Sequence, residues 1–252
     1  MLLWMLACTL NPTPAFAEDG ESTFDGGFTG DAPGYKKGGP VSIVHNGGNI
    51  SIRCMDTEGI SARIKYNLRG TSQPAMQAYS DGVGMAVGGD SKSGWVKTKV
   101  PSMGAGISSV DMTLTISIPA GTSGITVSQA GAGWVEVLNC SGALKMSTGV
   151  GGGYASGKYT SVNANASGGN MVIEQDKDTP WTGSSTITAP AGAITVTMAT
   201  GQIGKFSAAA AEVSVQPLVM GSNTPTLVSG TMGTGGPTIT LKAKDRIDVK
   251  NP

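Results

Sequence analysis

Charge is scarce in this chain. Only 13% of its 252 residues are Asp, Glu, Lys or Arg, and 17 basic side chains balance 17 acidic ones. Binding a phosphate backbone needs a basic stripe, so this balance argues against a nucleic-acid partner. Histidine occurs once, as His45. No Ser/His/Asp triad can be assembled on a histidine elsewhere, and His45 with the few cysteines shows no metal-ligand spacing. Nor does a GxGxxG element open a helix, or a phosphate loop appear; the glycines divide strands. Beyond the first residues, no stretch reaches the roughly 18 apolar residues that a spanning helix needs. The expectation is a mature chain with no cofactor, no metal and no transmembrane segment.

Glycine, serine, threonine and alanine are abundant, with 39 glycines. Gly-rich disorder would lack sustained alternation, yet alternation runs through most of the chain. In Asp111–Ile118, Met112, Leu114, Ile116 and Ile118 alternate with polar residues, a period of two that turns one face to a core and the other to water. The pairs Ile125/Val127, Val135/Val137 and Leu144/Met146 recur nine or ten residues apart, and Val162/Ala164 and Met171/Ile173 continue the beat. This is strand, tight turn and strand, repeated. Two all-β architectures fit that beat: an antiparallel meander, or a solenoid whose parallel rungs stack. Small residues at the divisions, such as Gly131/Gly133 and Gly149–Gly153, suit solenoid corners, and Asn-Gly hairpin signals are absent there.

The chain divides by composition into four parts. Residues 1–17 read as a signal peptide: an apolar run, MLLWMLACTL, then Ala15-Phe16-Ala17 as the cleavage site, although no Lys or Arg precedes the run. The alternative, a lipobox at Cys8, places the cysteine too early. Residues 18–40, Gly-rich and without period, read as a flexible leader whose Phe24, Phe28 and Tyr35 can dock on the body or a partner. Residues 41–109 form a smaller N-terminal set of strands, with Arg53, Arg63 and Lys65 on the wet face. Residues 110–252 form the repeating portion, in which Gln202–Ala211 is the one place for a short helix, although its Ala run equally suits a narrow interior. The charged tail, with Lys242, Lys244, Asp245 and Arg246, reads as a polar cap on the last strand. Cys54 and Cys140 remain after cleavage, in an oxidising compartment. Alternation points Cys54 inward while Cys140 falls at a turn, so the sequence leaves open whether they are bridged.

A strand ending in Ile-Pro-Ala-Gly-Thr (Ile118–Thr122), then Val-x-x-x-Gly-x-Gly and repeated Ser-Gly or Gly-Gly divisions, resembles the bacterial adhesin-type family of β-strand-repeat domains. The likeness runs over roughly Asn49 to Val215. It implies an exported single-stranded β-helix (β-solenoid) preceded by an N-terminal β portion, in the periplasm, on the cell surface or outside the cell. It transfers no catalytic or binding residue. Fewer Ser-Gly-Asp divisions and a longer gap around Asp176–Gly183 depart from the family pattern.

A non-catalytic structural, adhesion or surface-binding module follows, with surface glycans or envelope proteins as partners. Trp181, Trp134, Tyr154 and Tyr159 are the candidate contacts, because aromatic faces stack on sugar rings. Trp181, beside Pro180 in a polar loop, is the first choice. The alternative is a carbohydrate-active β-helix lyase or hydrolase, which needs clustered carboxylates. Asp111, Glu136, Glu174, Asp176, Asp178 and Glu212 are instead scattered along the sequence. A third reading, ice or surface binding, rests on the pairs Thr113/Thr115, Thr186/Thr188, Thr195/Thr197 and Thr238/Thr240, whose spacing is irregular.

Overall fold

The computed structural model describes residues 15–16, 21–217 and 219–252. The expected signal segment and Cys8 lie outside the described residues, except Ala15–Phe16. Alternating sequence becomes strand nearly throughout. The N-terminal elements are β1 (Ala15–Phe16), β2 (Ser22–Ala32), β3 (Pro40–His45), β4 (Asn49–Met55), β5 (Ile60–Gly70), helix α1 (Gln73–Gly82), β6 (Gly84–Gly89) and β7 (Gly94–Lys99). Next come β8 (Ile107–Pro119), β9 (Gly124–Gln129), β10 (Val135–Thr148), β11 (Gly153–Ala166), β12 (Met171–Gln175), β13 (Ser185–Ala189) and β14 (Ile194–Thr197). The last are β15 (Gly204–Ala209), β16 (Glu212–Val215), β17 (Met220–Asn223), β18 (Leu227–Met232), β19 (Thr238–Ala243) and β20 (Arg246–Lys250). The chain is all-β, and its sheet is open rather than closed into a barrel.

Most of the pairing is parallel and forms two ladders. One runs β8–β4–β10–β11–β12–β14–β20–β16. The other runs β7–β3–β9–β10–β11–β13–β19–β15. The long strands β10 and β11 serve both, their first halves in one ladder and their second halves in the other. β10 changes ladder at an irregular stretch around Asn139, where φ is 57°. That left-handed value suits asparagine better than a branched residue.

The inward rows show what holds the ladders together. In the first, Ile116, Ile52, Val137, Ala155, Ile173, Val196 and Val249 stack in register, all buried. In the second, Val96, Ile43, Val127, Met146, Ala164, Ile187, Leu241 and Ala208 do the same. Both rows belong to one buried cluster. Each fully buried Val, Leu or Ile contributes about 1.5–3 kcal/mol from removed apolar surface. The register also corrects the meaning of the beat. Val135 pairs with Gly153 and Gly153 with Met171, eighteen residues on each time. Two beats, not one, separate neighbours within a ladder, because successive hydrophobic pairs serve opposite ladders.

Three local expectations are overturned. The supposed flexible leader contains β2, paired antiparallel with β5 over its whole length. Its alternation is hidden because glycine stands where a large residue would be expected. Gly26 lies opposite Tyr66, whose ring would come within 2.3 Å of any Cβ there. Tyr35 is buried, its hydroxyl donating to the Gly39 carbonyl. The helix is α1, not Gln202–Ala211, where β15 runs instead. Ser72 caps α1, its Oγ accepting from the Ala75 N–H; Pro74 sits in the first turn, and Met76 and Tyr79 are buried. Finally, the charged tail is not a terminal cap. β19 and β20 insert between β13/β14 and β15/β16. Ile239, Leu241, Ile247 and Val249 are buried there, while Lys242, Lys244, Asp245 and Arg246 stay exposed.

The parallel ladders end in antiparallel additions. β5 lies on β8 and β6 on β7 at one end; β18 lies on β15 and β17 on β18 at the other. Such additions satisfy backbone groups that a bare ladder edge would leave unpaired.

Candidate functional site

The strands β2, β5, β8, β4, β10, β11 and β12 are successive neighbours in one sheet. Register therefore fixes which outward side chains share a row. Asp25, Asn67 and Asp111 form one row, and Gly27, Lys65 and Thr113 the next. A third runs Thr29, Arg63, Thr115, Ser51, Glu136, Tyr154 and Val172 across all seven strands. The row through Thr113 continues to Asn49, whose Oδ1 accepts from the Trp134 N–H at 2.9 Å.

Two features stand out on this face. At its β2–β5–β8 end is a trough of about 650 Å³, lined by Asp25, Gly27, Arg63, Lys65, Asn67 and Asp111 among others. Gly27 opens it by placing no side chain between Asp25 and Thr29. Asn67 Nδ2 donates to Asp25 Oδ1 at 2.7 Å. Arg63 and Lys65 are exposed and have no ion-pair partner among the described residues.

At the β10–β12 end lies an aromatic patch. Trp134 is 37% exposed, and its ring leans over Gly152, where a Cβ would come within 3.1 Å of Cζ3. Gly152 also has φ 88°, so two independent constraints require glycine there. Tyr154, half-buried on the adjacent strand, donates to Glu174 Oε2, and Ser51 Oγ donates to Glu136 Oε2 at 2.9 Å. Burial first, and then the Glu174 carboxylate, raise the Tyr154 hydroxyl pKa, so the phenol stays protonated as a donor.

The other two sequence candidates are elsewhere. Trp181 is 2% exposed, which removes it as an outward contact. Its Nε1–H donates to Gln175 Oε1 at 2.9 Å, and its backbone N–H donates to Gln202 Oε1 at 2.7 Å. The loop between β12 and β13 lengthens the register step from eighteen residues to twenty-three (Met171 to Ile194), and Trp181 fills the space under it. Polarity in the flanking sequence gave no sign of this; the indole does what large apolar side chains do. Tyr159 is fully buried, and burial drives its pKa well up. The trough is not legible in the sequence, because its residues are distant along the chain and glycines interrupt the alternation of β2.

Cys54 and Cys140 form a disulfide, with Cα atoms 5.0 Å apart. Arg53 pairs with Leu138, and the left-handed Asn139 then brings Cys140 level with Cys54. The bridge ties β4, which begins at Asn49, to β10, which Trp134 immediately precedes. No group of three His, Cys, Asp or Glu residues arranged to hold a metal occurs among the described residues. Asp176 is occupied locally, accepting from the Asp178 N–H at 3.1 Å and from Thr179 Oγ1. The Thr-x-Thr pairs divide between the ladders: Thr113/Thr115 and Thr195/Thr197 on one, Thr186/Thr188 and Thr238/Thr240 on the other. No described helix is long and apolar enough to cross a membrane.

Comparison with known proteins adds the fold. The chain is similar to a solved structure from Clostridium sporogenes described as a “putative cell adhesion protein”, with a TM-score of 0.54 and 13% identity. The match covers 95% of this chain and all of that one. A “putative adhesin” from Bacteroides fragilis aligns over 90% of this chain and 97% of its own, at 13% identity and a TM-score of 0.32. No family model matches the chain, the β-strand-repeat family included, and no curated protein matches it. At 13% identity the Clostridium likeness establishes a shared fold.

Proposed function

We propose that this chain is an exported, non-catalytic β-solenoid that serves as an adhesion or surface-binding module of the bacterial envelope. The alternation of successive strands between two parallel ladders, with an eighteen-residue step, supports the solenoid winding. The fold shared with a “putative cell adhesion protein” supports the role. Cleavage of residues 1–17 and export rest on the sequence pattern.

The observation that carries the binding reading is the placement of two aromatics on one outward face, Trp134 immediately before β10 and Tyr154 on β11 opposite Glu136, with Glu174 beside Tyr154. An aromatic ring stacks on the apolar face of a sugar, while carboxylates accept its hydroxyls. Non-catalysis is supported by the engagement of both carboxylates, Glu136 with Ser51 and Glu174 with Tyr154. The test is a glycan-array and cell-surface binding screen with the mature chain. Trp134→Ala and Tyr154→Ala should each abolish retention while leaving the circular-dichroism spectrum intact. Retention unaltered by both substitutions would remove the aromatic patch as the contact.

A further inference from the structure

The trough at the β2–β5–β8 end has a polarity of its own. Its Asp25–Asn67–Asp111 row offers hydrogen-bond acceptors, and the next two rows offer the cations Lys65 and Arg63. Lys65 and Arg63 are two residues apart on β5, so both side chains leave the same face. They are exposed and unpaired among the described residues, which leaves both free to meet an anion. A planar guanidinium receives a carboxylate through two parallel hydrogen bonds. The volume, about 650 Å³, falls within the range of ligand pockets.

We infer that this trough binds acidic polysaccharide, receiving a uronate ring with its carboxylate on Arg63 and Lys65 and its hydroxyls on Asp25 and Asp111. A ligand with one charge per ring fits this alternation. A densely anionic one, such as polyphosphate, would meet repulsion from the two aspartates. The row through Lys65 continues over Thr113 and Asn49 to Trp134, roughly 14 Å away at the ordinary strand spacing. A polymer seated in the trough and following that row would arrive at the aromatic patch. The inference rests on the surface-binding reading and names its ligand class.

The experiment is calorimetric titration of the mature chain with tetragalacturonate, its methyl ester and a neutral cello-oligosaccharide, at low and high salt. The acid should bind and weaken as salt rises. Arg63→Gln and Lys65→Gln should each lower its affinity about tenfold, consistent with the loss of charge-assisted hydrogen bonds. Asp25→Asn should weaken the acid and the ester alike, since it alters hydroxyl recognition. Equal affinity for acid and ester, or indifference to both cation substitutions, would overturn the trough assignment while leaving Trp134-dependent binding standing. Absence of binding to any glycan would overturn both. Circular dichroism should match the parent for each variant, because the substitutions are exposed polar changes that leave the inward rows untouched.

Discussion

The two ends of the parallel ladders solve the same problem with unequal means. At each end the last pair of strands is out of chain order: β7/β8 lie beyond β3/β4, and β15/β16 lie beyond β19/β20. Each end is then covered by antiparallel strands. At the N-terminal end the cover is β5, with Ile60, Ala62, Ile64, Tyr66 and Leu68 all buried, reinforced by β2, α1 and a nearby disulfide. At the C-terminal end the cover is β18 and β17, and all four residues of β17 are exposed. One end is a long extension of the sheet carrying the trough; the other is a stop. Closing a ladder therefore needs little, and the surplus at the N-terminal end builds a surface.

The strongest way to break this contrast is to remove the bridge. The disulfide closes a loop of 86 residues, worth about 4–5 kcal/mol in the chain-entropy account. Cys54→Ser with Cys140→Ser should lower the denaturant midpoint accordingly, and proteolysis should then open the β4–β10 region first. If cleavage begins instead at β17, the N-terminal end owes its solidity to packing rather than to the bridge.

A nearly equal loss is expected between the ends. Trp181→Ala removes a buried indole and one of the hydrogen bonds to Gln175 Oε1, so it should cost about 3–5 kcal/mol in urea unfolding. Because the side chain is inward, a folded Trp181→Ala population should bind surface ligands as the parent does. This contrast with Trp134 shows where the sequence was legible. The ladders were readable because an inward position demands Val, Ile or Leu, and alternation records that demand directly. Exposure of single aromatics was not, because Trp134, after Gly133, and Trp181, after Pro180, both stand next to turn-forming residues that look alike in the sequence. β2 was missed since Gly26 and Gly30 stand on its inward face. The β19/β20 insertion was missed because order along a ladder leaves no local mark: Ile239/Leu241 would alternate alike at an end or inside.

Acid should separate the two ends next. His45 ends β3 fully buried, with Nδ1 at 2.7 Å from Thr98 Oγ1 and Gln129 as its partner in register, both neutral. Burial lowers its pKa from 6.5 to about 4. The unfolded chain therefore takes up a proton that the folded chain refuses. The contribution is complete above pH 6.5, declines as the pH falls toward 4 and is flat below that; it amounts to about 3 kcal/mol. Urea unfolding from pH 7 to 4 should show this slope, and His45→Gln should flatten it. A slope unchanged by the substitution would assign the acid sensitivity to carboxylates instead.

The smallest effects test whether the N-terminal cover is structural throughout. Ser72→Ala removes the oxygen that accepts the Ala75 N–H at the start of α1 and should cost about 1 kcal/mol. At the other end Met220, 69% exposed on β17, should tolerate serine within about 0.5 kcal/mol. Chemical denaturation of the two variants side by side decides the matter. A larger loss at Met220 than at Ser72 would mean that β17 covers the ladder end more firmly than its exposure implies. The ends would then differ in surface and not in strength, and the trough would need another reason to sit where it does.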